Sequence, residues 1–314
     1  MCVTCGCGEG ETTVRRVGDD AAGEHHDGHA HTHADGTTHS HAGSQGHGHV
    51  HGHEHHEHPH GHEHEHEHEH EHEHEHGHEH GHRHDLQVPG RSTETIALET
   101  ALLGKNQALA ERNRGWLAGR GVLALNLMSS PGAGKTTLLE RSIRDLQGQV
   151  SISVVEGDQA TANDAQRIRA TGAPAVQVNT GTGCHLEADM LARALELLQP
   201  APGSLLVIEN VGNLVCPALF DLGERARVVI FSVTEGEDKP LKYPHMFSSA
   251  DVLLLSKTDL LPHLRVDLQL MMDNALTVNP GLKIFPVSAY TGAGLDAWYG
   301  WLRGELAAGG AAKV

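Results

Sequence analysis

The sequence predicts an α/β fold with a doubly wound, mostly parallel sheet, preceded by a disordered histidine-rich extension. From residue 92 onward, short apolar runs alternate with segments that have apolar residues at helical spacing. This alternation is typical of a parallel sheet that helices cover on both faces. Residues 1–90, in contrast, hold 27 of the 30 histidines and almost no large apolar side chains. Such a segment cannot bury enough surface to fold alone, so we expect an extension at 1–90 and a folded domain at 91–314.

Each element of the domain follows from its hydrophobic pattern. Apolar runs of four to seven residues predict strands, and longer segments with apolar residues every three or four positions predict helices. The predicted strands are 122–128, 151–155, 175–178, 205–209, 228–233, 252–255 and 284–287. The predicted helices are 94–117, 136–146, 162–170, 186–198, 266–276 and 295–305.

Composition excludes several classes of protein. The extension carries 18 acidic residues and three arginines, whereas the domain, with 20 basic and 23 acidic residues, is nearly neutral. This balance argues against nucleic-acid binding, which needs clustered basic residues. The sequence has no run of about 18 apolar residues, as a membrane span requires. Residues 1–7 lack the basic flank and apolar core of a signal peptide, and five cysteines do not indicate a disulfide framework. We therefore expect a cytoplasmic protein.

Two parts of the extension contain the residue types of metal sites. Cys2, Cys5 and Cys7 place three thiols within six residues, which suits Ni²⁺ or Zn²⁺. An incidental or redox-active cluster is the alternative. Between residues 62 and 76, histidine and glutamate alternate strictly, a pattern that offers imidazole pairs to nickel, zinc, copper or cobalt. An inert solvated linker is the alternative here. The candidate ligands are His62, His64, His66, His68, His70, His72, His74 and His76.

A glycine-rich loop at residues 129–136 follows the first predicted strand of the domain and precedes a helix, as the phosphate-binding loop of a P-loop NTPase does. Its glycines let backbone N–H groups converge on phosphate oxygens at the helix N-terminus. Lys135 would neutralise the β- and γ-phosphates, and the Thr136 hydroxyl would bind Mg²⁺. Ser129 stands where the motif usually has its first glycine. The predicted nucleotide-binding residues of this segment are Gly132, Ala133, Gly134, Lys135, Thr136 and Thr137.

The segment Ser256-Lys257-Thr258-Asp259 indicates which base is bound. The Asp259 carboxylate can accept from both N–H donors on the guanine edge, and adenine lacks that donor pair. The Lys257 stem would lie along the base. Ser288 and Ala289 resemble the further GTPase loop whose backbone reads the guanine oxygen. An unmade hydrogen bond in a buried site is costly, so these motifs favour GTP over ATP.

A second metal site is predicted beside the nucleotide. Glu209, at the end of an apolar strand, is the acid expected near Mg²⁺, and Gly212 is expected to bring its N–H to the γ-phosphate. Cys216 follows four residues later, and Cys184-His185 precedes a predicted helix. A buried structural role is the usual interpretation for each cysteine alone. Together with His185 they form a candidate site whose metal would respond to the nucleotide state.

These motifs together resemble those of the HypB family, the hydrogenase nickel-incorporation GTPases of the SIMIBI class of P-loop proteins, over essentially the whole chain. The resemblance also includes Glu156-Gly157-Asp158 and the Lys-Pro-Leu-Lys-Tyr-Pro segment at 239–244. It implies slow GTP hydrolysis and delivery of nickel to the large-subunit precursor of nickel–iron hydrogenase. It further implies that the accessory protein HypA is a partner.

The same resemblance implies roles for individual residues. The N-terminal cysteines correspond to a tight nickel site. Cys184, His185 and Cys216 correspond to a nickel or zinc site at the interface of a homodimer that GTP promotes. Asp158 corresponds to an acidic switch residue that organises Mg²⁺ or the attacking water, so the expected catalytic residues are Lys135, Asp158 and Glu209. The histidine-rich insert corresponds to a nickel store.

Three functional interpretations remain open at this point. The first is a metal-coupled GTPase that inserts nickel. The second is a nickel reservoir with secondary GTPase activity, in which the extension matters most. The third, a relative directed to an organic cofactor or to zinc, is disfavoured by the N-terminal cysteine cluster.

Lys135→Ala should abolish GTP hydrolysis, because the lysine charge is needed at the phosphates. Nickel binding by the extension should be unchanged, because its candidate ligands, at residues 2–7 and 62–76, belong to a different part of the sequence from the loop at 129–136. Phosphate release and nickel titration of the full chain would measure the two properties. If both were lost together, the extension and the domain would not be independent.

Overall fold

The structure, a computed structural model, describes residues 12–16, 30–32, 38–40, 93–158 and 163–310. The chain divides into two compact units, one formed by residues 1–22 with 91–314 and the other by residues 23–90. In the second unit, β2 (Ala30–Thr32) and β3 (Thr38–Ser40) pair antiparallel. The first unit contains the main sheet.

The main sheet has eight strands. They are β1 (Thr13–Arg16), β4 (Leu123–Ser129), β5 (Ile152–Asp158), β6 (Ala175–Asn179), β7 (Leu205–Glu209), β8 (Ala226–Ser232), β9 (Val252–Ser256) and β10 (Lys283–Pro286). Their order is β1-β6-β5-β7-β4-β8-β9-β10, and all pairs are parallel except β1 with β6. Because parallel strands end at the same edge, the segments that follow β4, β5 and β7 lie side by side.

Helices connect the strands and cover both faces. They are α1 (Thr93–Gly119), α2 (Lys135–Asp145), α3 (Asn163–Arg169), α4 (Ala188–Leu198), α5 (Cys216–Leu219), α6 (Lys239–Lys242), α7 (Pro244–Ser248), α8 (Leu268–Val278) and α9 (Leu295–Gly310), with a 3₁₀ helix at Thr258–His263. None of these helices is both long and apolar enough to cross a membrane.

The hydrophobic core lies on both faces of the central strand β4, whose seven residues are all buried. Leu125 packs in one cluster with Leu139 of α2, and Ala124 packs in another with Leu191 of α4. Alternate side chains of a strand point to opposite faces, so β4 supplies both clusters. The predicted doubly wound α/β fold is confirmed.

Most elements agree with the predicted boundaries to within two residues. β5 and α9 continue further than predicted, to Asp158 and Gly310. The predicted helix at 186–198 begins two residues later, at Ala188, because Glu187 has an extended backbone with φ of −112° and ψ of 160°. The Leu186 N–H donates to the Asn210 side chain at 3.1 Å and so helps to hold the residues before the helix.

Strand β1 is not among the predicted elements and lies within the segment assigned to the extension. Its four residues pair antiparallel with β6 at the edge of the main sheet. Val14 packs against the hydrophobic cluster that contains Leu117 of α1 and Leu191 of α4. The Arg16 Nε donates to the carbonyl of Leu197 at 3.1 Å. The residues of β1 are too few for a hydrophobic period, so only the pairing partner reveals the strand. The N-terminal cysteines and the histidine–glutamate tract lie outside the described residues.

Gly223 should be much less tolerant of alanine than Gly148, although both have a left-handed backbone, with φ of 91° and 76°. A Cβ at Gly223 would lie 2.8 Å from the Arg114 backbone nitrogen of α1 and still closer to the Ala110 carbonyl. At Gly148, the described residues place no other atom within 4 Å of a Cβ. Gly148→Ala should lower the free energy of unfolding by about 1–2 kcal/mol through backbone strain alone. Gly223→Ala should cost about 2–5 kcal/mol, because overpacking adds to that strain. Urea unfolding would compare them, and equal losses would contradict the close approach of α1.

Candidate nucleotide and metal sites

The phosphate loop lies between β4 and α2, as predicted. Gly132 and Gly134 have φ of 76° and 97°, a left-handed conformation that disfavours any residue with a Cβ. The Lys135 Nζ donates to the Ser129 Oγ at 3.2 Å, and that hydroxyl in turn donates to the carbonyl of Ser130 at 2.6 Å. Ser129 therefore replaces the usual glycine without loss of the loop conformation, and it orients the lysine.

Two buried carboxylates lie beside this loop. The Thr136 hydroxyl donates to the Glu209 Oε1 at 2.6 Å. Glu156 of β5 pairs with Glu209 of β7 in the sheet register, so the two side chains are neighbours on one face. The Oε2 atoms of both glutamates are buried and have no hydrogen-bond partner within the described part of the chain. Buried carboxylate oxygens normally have partners, so these two fit a bound cation such as Mg²⁺.

Burial is the main electrostatic feature of this pair. It raises the pKa of Glu156 to about 8, and the negative charges of Glu209 and Asp158 add to the effect. Burial also raises the pKa of Glu209, against the opposing effects of the Lys135 charge and the Thr136 hydrogen bond. The site thus has a deficit of positive charge that a divalent cation would supply.

Gly212 lies against the phosphate loop. A Cβ at this position would lie 3.3 Å from the Pro131 Cα, so a glycine permits the close approach of the two backbones.

Two further predicted site residues lie near the loop and its helix. Asp158 is the last residue of β5, and its carbonyl accepts from the Thr180 N–H at 3.0 Å. Thr137, in the first turn of α2, is exposed, and its hydroxyl accepts from the Arg167 Nη2 at 3.0 Å.

The residues predicted to bind the guanine base are hydrogen-bonded to the phosphate loop or to one another. The Lys257 Nζ donates to the Gly132 carbonyl at 2.7 Å, and the Ser256 Oγ donates to the Ala133 carbonyl at 2.7 Å. Ser256, which stands where GTPases have asparagine, therefore ties this segment to the phosphate loop. The Ser288 Oγ donates to the Asp259 Oδ1 at 2.6 Å and so orients the carboxylate.

The loop after β10, which contains Ala289, is held by hydrogen bonds from α2. The Arg141 Nη1 donates to the Ala289 carbonyl at 3.0 Å. Its Nε also donates to Asp145, at 2.8 Å to the nearer oxygen. The loop that contains Ala289 is thereby fixed to the helix that begins at Lys135.

Cys184, His185 and Cys216 form a compact buried cluster. Their ligand atoms all lie within 4.8 Å of one another, and the Cys184 Sγ is 3.8 Å from the His185 Nδ1. Cys184 and His185 precede α4, whereas Cys216 is the first residue of α5. The imidazole stacks on the Phe220 ring with the centroids 4.0 Å apart.

The donor set suits a soft or borderline metal ion. Burial lowers the pKa of His185 to about 4, so the imidazole is neutral near pH 7, as a metal ligand must be. Its Nε2 is buried without a hydrogen-bond partner in the described region and lies 3.7 Å from the nearer Glu187 oxygen. Two thiols and a neutral imidazole are ligands that nickel and zinc accept.

Comparison with known proteins identifies the family. Residues 123–286 match the family described as CobW/HypB/UreG, nucleotide-binding domain. The hydrogenase maturation factor HypB of Rhizobium leguminosarum bv. viciae is 59% identical over 219 residues, which cover 69% of this chain and 73% of that protein. This chain belongs to the HypB family.

Solved HypB structures have the same fold. HypB from Archaeoglobus fulgidus is 41% identical with a TM-score of 0.61, and the match covers 65% of this chain and 99% of that one. HypB from Helicobacter pylori in complex with nickel is 38% identical with a TM-score of 0.61, and the match covers 64% of this chain and 95% of that one. The resemblance to the HypB family is confirmed, and the chain contains the nucleotide-binding domain of a hydrogenase maturation factor.

Glu156 is the site residue that sequence reasoning did not select. The resemblance to HypB includes it in Glu156-Gly157-Asp158 but assigns it no role. Its importance comes from the register that places it beside Glu209. The available signal was an acid inside an otherwise apolar strand, since an ionisable side chain in a buried strand requires a partner.

Glu156→Gln should stabilise the nucleotide-free and magnesium-free protein at high pH. Because the pKa of Glu156 is raised from 4.5 to about 8, the folded protein retains a proton that the unfolded chain releases, and stability is lost as pH rises across that interval. The variant should match wild type near pH 4.5 and exceed it by about 2–4 kcal/mol at pH 8. Urea unfolding at several pH values would test this, with Glu196→Gln, at an exposed position, as the control for removing one charge. Parallel curves for Glu156→Gln and wild type would contradict the burial of an ionisable acid.

Proposed function

We propose that this chain is a GTP-hydrolysing nickel metallochaperone that binds, stores and delivers nickel for maturation of nickel–iron hydrogenase. The observation that carries the proposal is the buried cluster of Cys184, His185 and Cys216. One of its ligands lies four residues after Gly212, on the segment that adjoins the phosphate loop. A metal held there is within reach of the changes that nucleotide hydrolysis causes.

GTP would occupy the site with its phosphates on the loop. Lys135 neutralises the β- and γ-phosphates, and Thr136 and Glu209 hold Mg²⁺, which supplies positive charge to the phosphate oxygens. Asp158 orients the attacking water. Asp259 accepts from the guanine edge, and its orientation by Ser288 supports selection of GTP over ATP.

The remaining predicted contacts complete the nucleotide site. Lys257 lies along the base, Ala289 presents its backbone to the guanine oxygen, and Gly212 directs its N–H to the γ-phosphate. The tethers from Lys257 and Ser256 to the phosphate loop support this arrangement, because they join the base and phosphate segments directly.

Nickel is the metal cargo of the buried cluster. Two thiols and a neutral imidazole favour a borderline ion, and a similar protein, HypB from Helicobacter pylori, was solved in complex with nickel. Zinc is a competing ion for the same ligands. Cys2, Cys5 and Cys7 form a further nickel site, and the histidines between residues 62 and 76 store the metal.

The protein works in the cytoplasm as a homodimer that GTP promotes. It transfers nickel to the hydrogenase large-subunit precursor together with HypA. The family name, hydrogenase maturation factor, supports action within the maturation machinery.

The alternative is a nickel storage protein with secondary GTPase activity. The observation that favours it is the share of metal ligands in the extension, which has 27 histidines against three ligands in the domain cluster. A delivery GTPase depends mainly on the metal cluster of the domain, whereas a storage protein depends mainly on the histidines of the extension.

Hydrogenase activity, measured against nickel supply in a strain lacking its own copy of the protein, would distinguish them. For a delivery GTPase, removal of residues 25–84, which contain the 27 histidines but not β1, should raise the nickel requirement without lowering maximal activity. His185→Gln should lower maximal activity at least tenfold, while His245→Gln, at an exposed histidine of α7, serves as the matched control. Loss of maturation on removing 25–84, with normal activity of His185→Gln, would make storage the primary function.

A further inference from the structure

The segment after β7 joins one metal ligand to the nucleotide site through the chain itself. It begins at Glu209, passes Gly212 and reaches Cys216. The Asn213 Oδ1 accepts from the Val215 N–H at 2.7 Å and from the Cys216 N–H at 3.4 Å, so the turn is held by its own side chain. A short, hydrogen-bonded turn therefore connects Gly212 to Cys216.

Cys184 and His185 are not on this segment, because they follow β6 in another part of the sequence. The two ligand segments meet directly where the His185 ring stacks on Phe220. At the end nearer the nucleotide, the Asn210 side chain joins them.

Asn210 is 1% exposed, and both ends of its amide are engaged. Its Oδ1 accepts from the Leu186 N–H at 3.1 Å and from the Val211 N–H at 2.9 Å. Its Nδ2 donates to the Asn126 Oδ1 of β4 at 3.2 Å. Leu186 directly follows His185, so the amide joins the nucleotide segment to the segment with the other two ligands.

The Leu186 side chain makes a second contact with the nucleotide side. A Cβ on Gly157 of β5 would lie 2.8 Å from the Leu186 Cγ, so the leucine packs directly on this glycine. Gly157 lies between Glu156 and Asp158. The Cys184–His185 segment is thus seated against the acidic end of β5 and bonded to the end of β7.

The opposite side of the same segment is held by α1. The Asn106 Oδ1 accepts from the Ala188 N–H at 2.9 Å, and the Asn113 Nδ2 donates to the Ala188 carbonyl at 2.8 Å. These two asparagines also donate to the carbonyls of Asp221 and Leu222, at 2.7 and 3.1 Å. Helix α1 therefore holds one end of each ligand segment, at Ala188 and at Asp221–Leu222, but contacts neither the phosphate loop nor Gly212 through these bonds.

We propose that Asn210 is the positioning residue that couples the metal cluster to the nucleotide state, by transmitting a displacement of Gly212 to the Leu186 end of the Cys184–His185 segment, whose α4 end is held by α1. This inference rests on the proposed function, since it concerns how the same nickel site is regulated. Buried N–H groups strongly favour a retained partner, so Leu186 follows Asn210 when Gly212 moves. Asn106 and Asn113 supply the frame against which that movement changes the ligand geometry.

The test measures nickel affinity in two nucleotide states on the full-length chain. Cys2, Cys5 and Cys7 are replaced by serine, so thiolate-to-nickel charge-transfer absorption reports only Cys184 and Cys216, the other two of the five cysteines. Nickel is titrated with a non-hydrolysable GTP analogue and with GDP. The ratio of the two dissociation constants is the measured coupling.

Asn210→Ala is compared with Asn106→Ala, because each variant removes an amide oxygen that accepts from a buried N–H of the same segment. We expect a wild-type ratio of at least about fivefold, as in typical allosteric coupling. Asn210→Ala should bring the ratio to within about twofold of one. Asn106→Ala should weaken nickel binding in both states and leave the ratio unchanged, because the Asn113 bond to the Ala188 carbonyl still holds the α4 end of the segment.

Three results would overturn the proposal. A wild-type ratio retained by Asn210→Ala would refute the role of Asn210 alone and leave the proposed function intact. An equal loss in Asn106→Ala would show that any loosening of the segment has the same effect. A wild-type ratio of one would refute nucleotide-coupled delivery itself. If Asn210→Ala does not fold, Asn210→Ser is used, because it leaves a smaller cavity and is still too short to reach Leu186.

Reciprocity supplies an internal check on the measurement. If nucleotide changes nickel affinity by a given factor, nickel must change the ratio of GTP-analogue to GDP affinity by the same factor. Wild type should satisfy this equality, and Asn210→Ala should show little change in either direction. Unequal factors in wild type would mean that the absorption does not report the cluster, and a nucleotide ratio in Asn210→Ala that still shifts with nickel would overturn the proposal.

Discussion

The hydrogen bond from Thr136 to Glu209 is the contact on which the site depends. It joins the first turn of α2 to the end of β7, and it can form only because β4 and β7 are adjacent and parallel. The same edge of the sheet brings Glu156 beside Glu209. Strand order therefore decides that a phosphate loop, an acid for a cation and the turn leading to Cys216 occur together.

Polar groups in this interior are of two kinds. The buried Asn106, Asn113, Asn126 and Asn210 are hydrogen-bonded through their side chains. Three of them bond backbone groups of neighbouring segments, whereas Asn126 bonds the side chains of Asn210 and Glu224. The Oε2 atoms of Glu156 and Glu209 and the Nε2 of His185 are buried without such bonds. Unsatisfied buried groups are costly. Of the six such side-chain atoms among the described residues, these three occur where a cation and a metal cargo are expected. The hydrogen-bonded asparagines stabilise the fold, whereas the unpartnered carboxylate and imidazole atoms are available to ligands.

The nucleotide site and the metal cluster are connected through the segment that follows β7. The end of β7 contacts the phosphate loop through Gly212, leads through the chain to Cys216 and reaches Leu186 through Asn210. Helix α1 contacts both ligand segments from the other side. A small displacement at the nucleotide would therefore act on the metal ligands directly, because packed interiors transmit movement with little loss.

Local patterns in the sequence determined the elements and the motifs within them. The strand at Leu205–Glu209 has the predicted bounds, and the glycine-rich loop follows β4 because strand, turn and helix signals occur in consecutive residues. Tertiary structure alone decided the edge strand β1, the delayed start of α4 at Ala188, the pairing of Glu156 with Glu209 and the depth at which His185 is buried. Each depends on residues distant in sequence that strand order and register bring into contact, and short-range periodicity contains no information about that order.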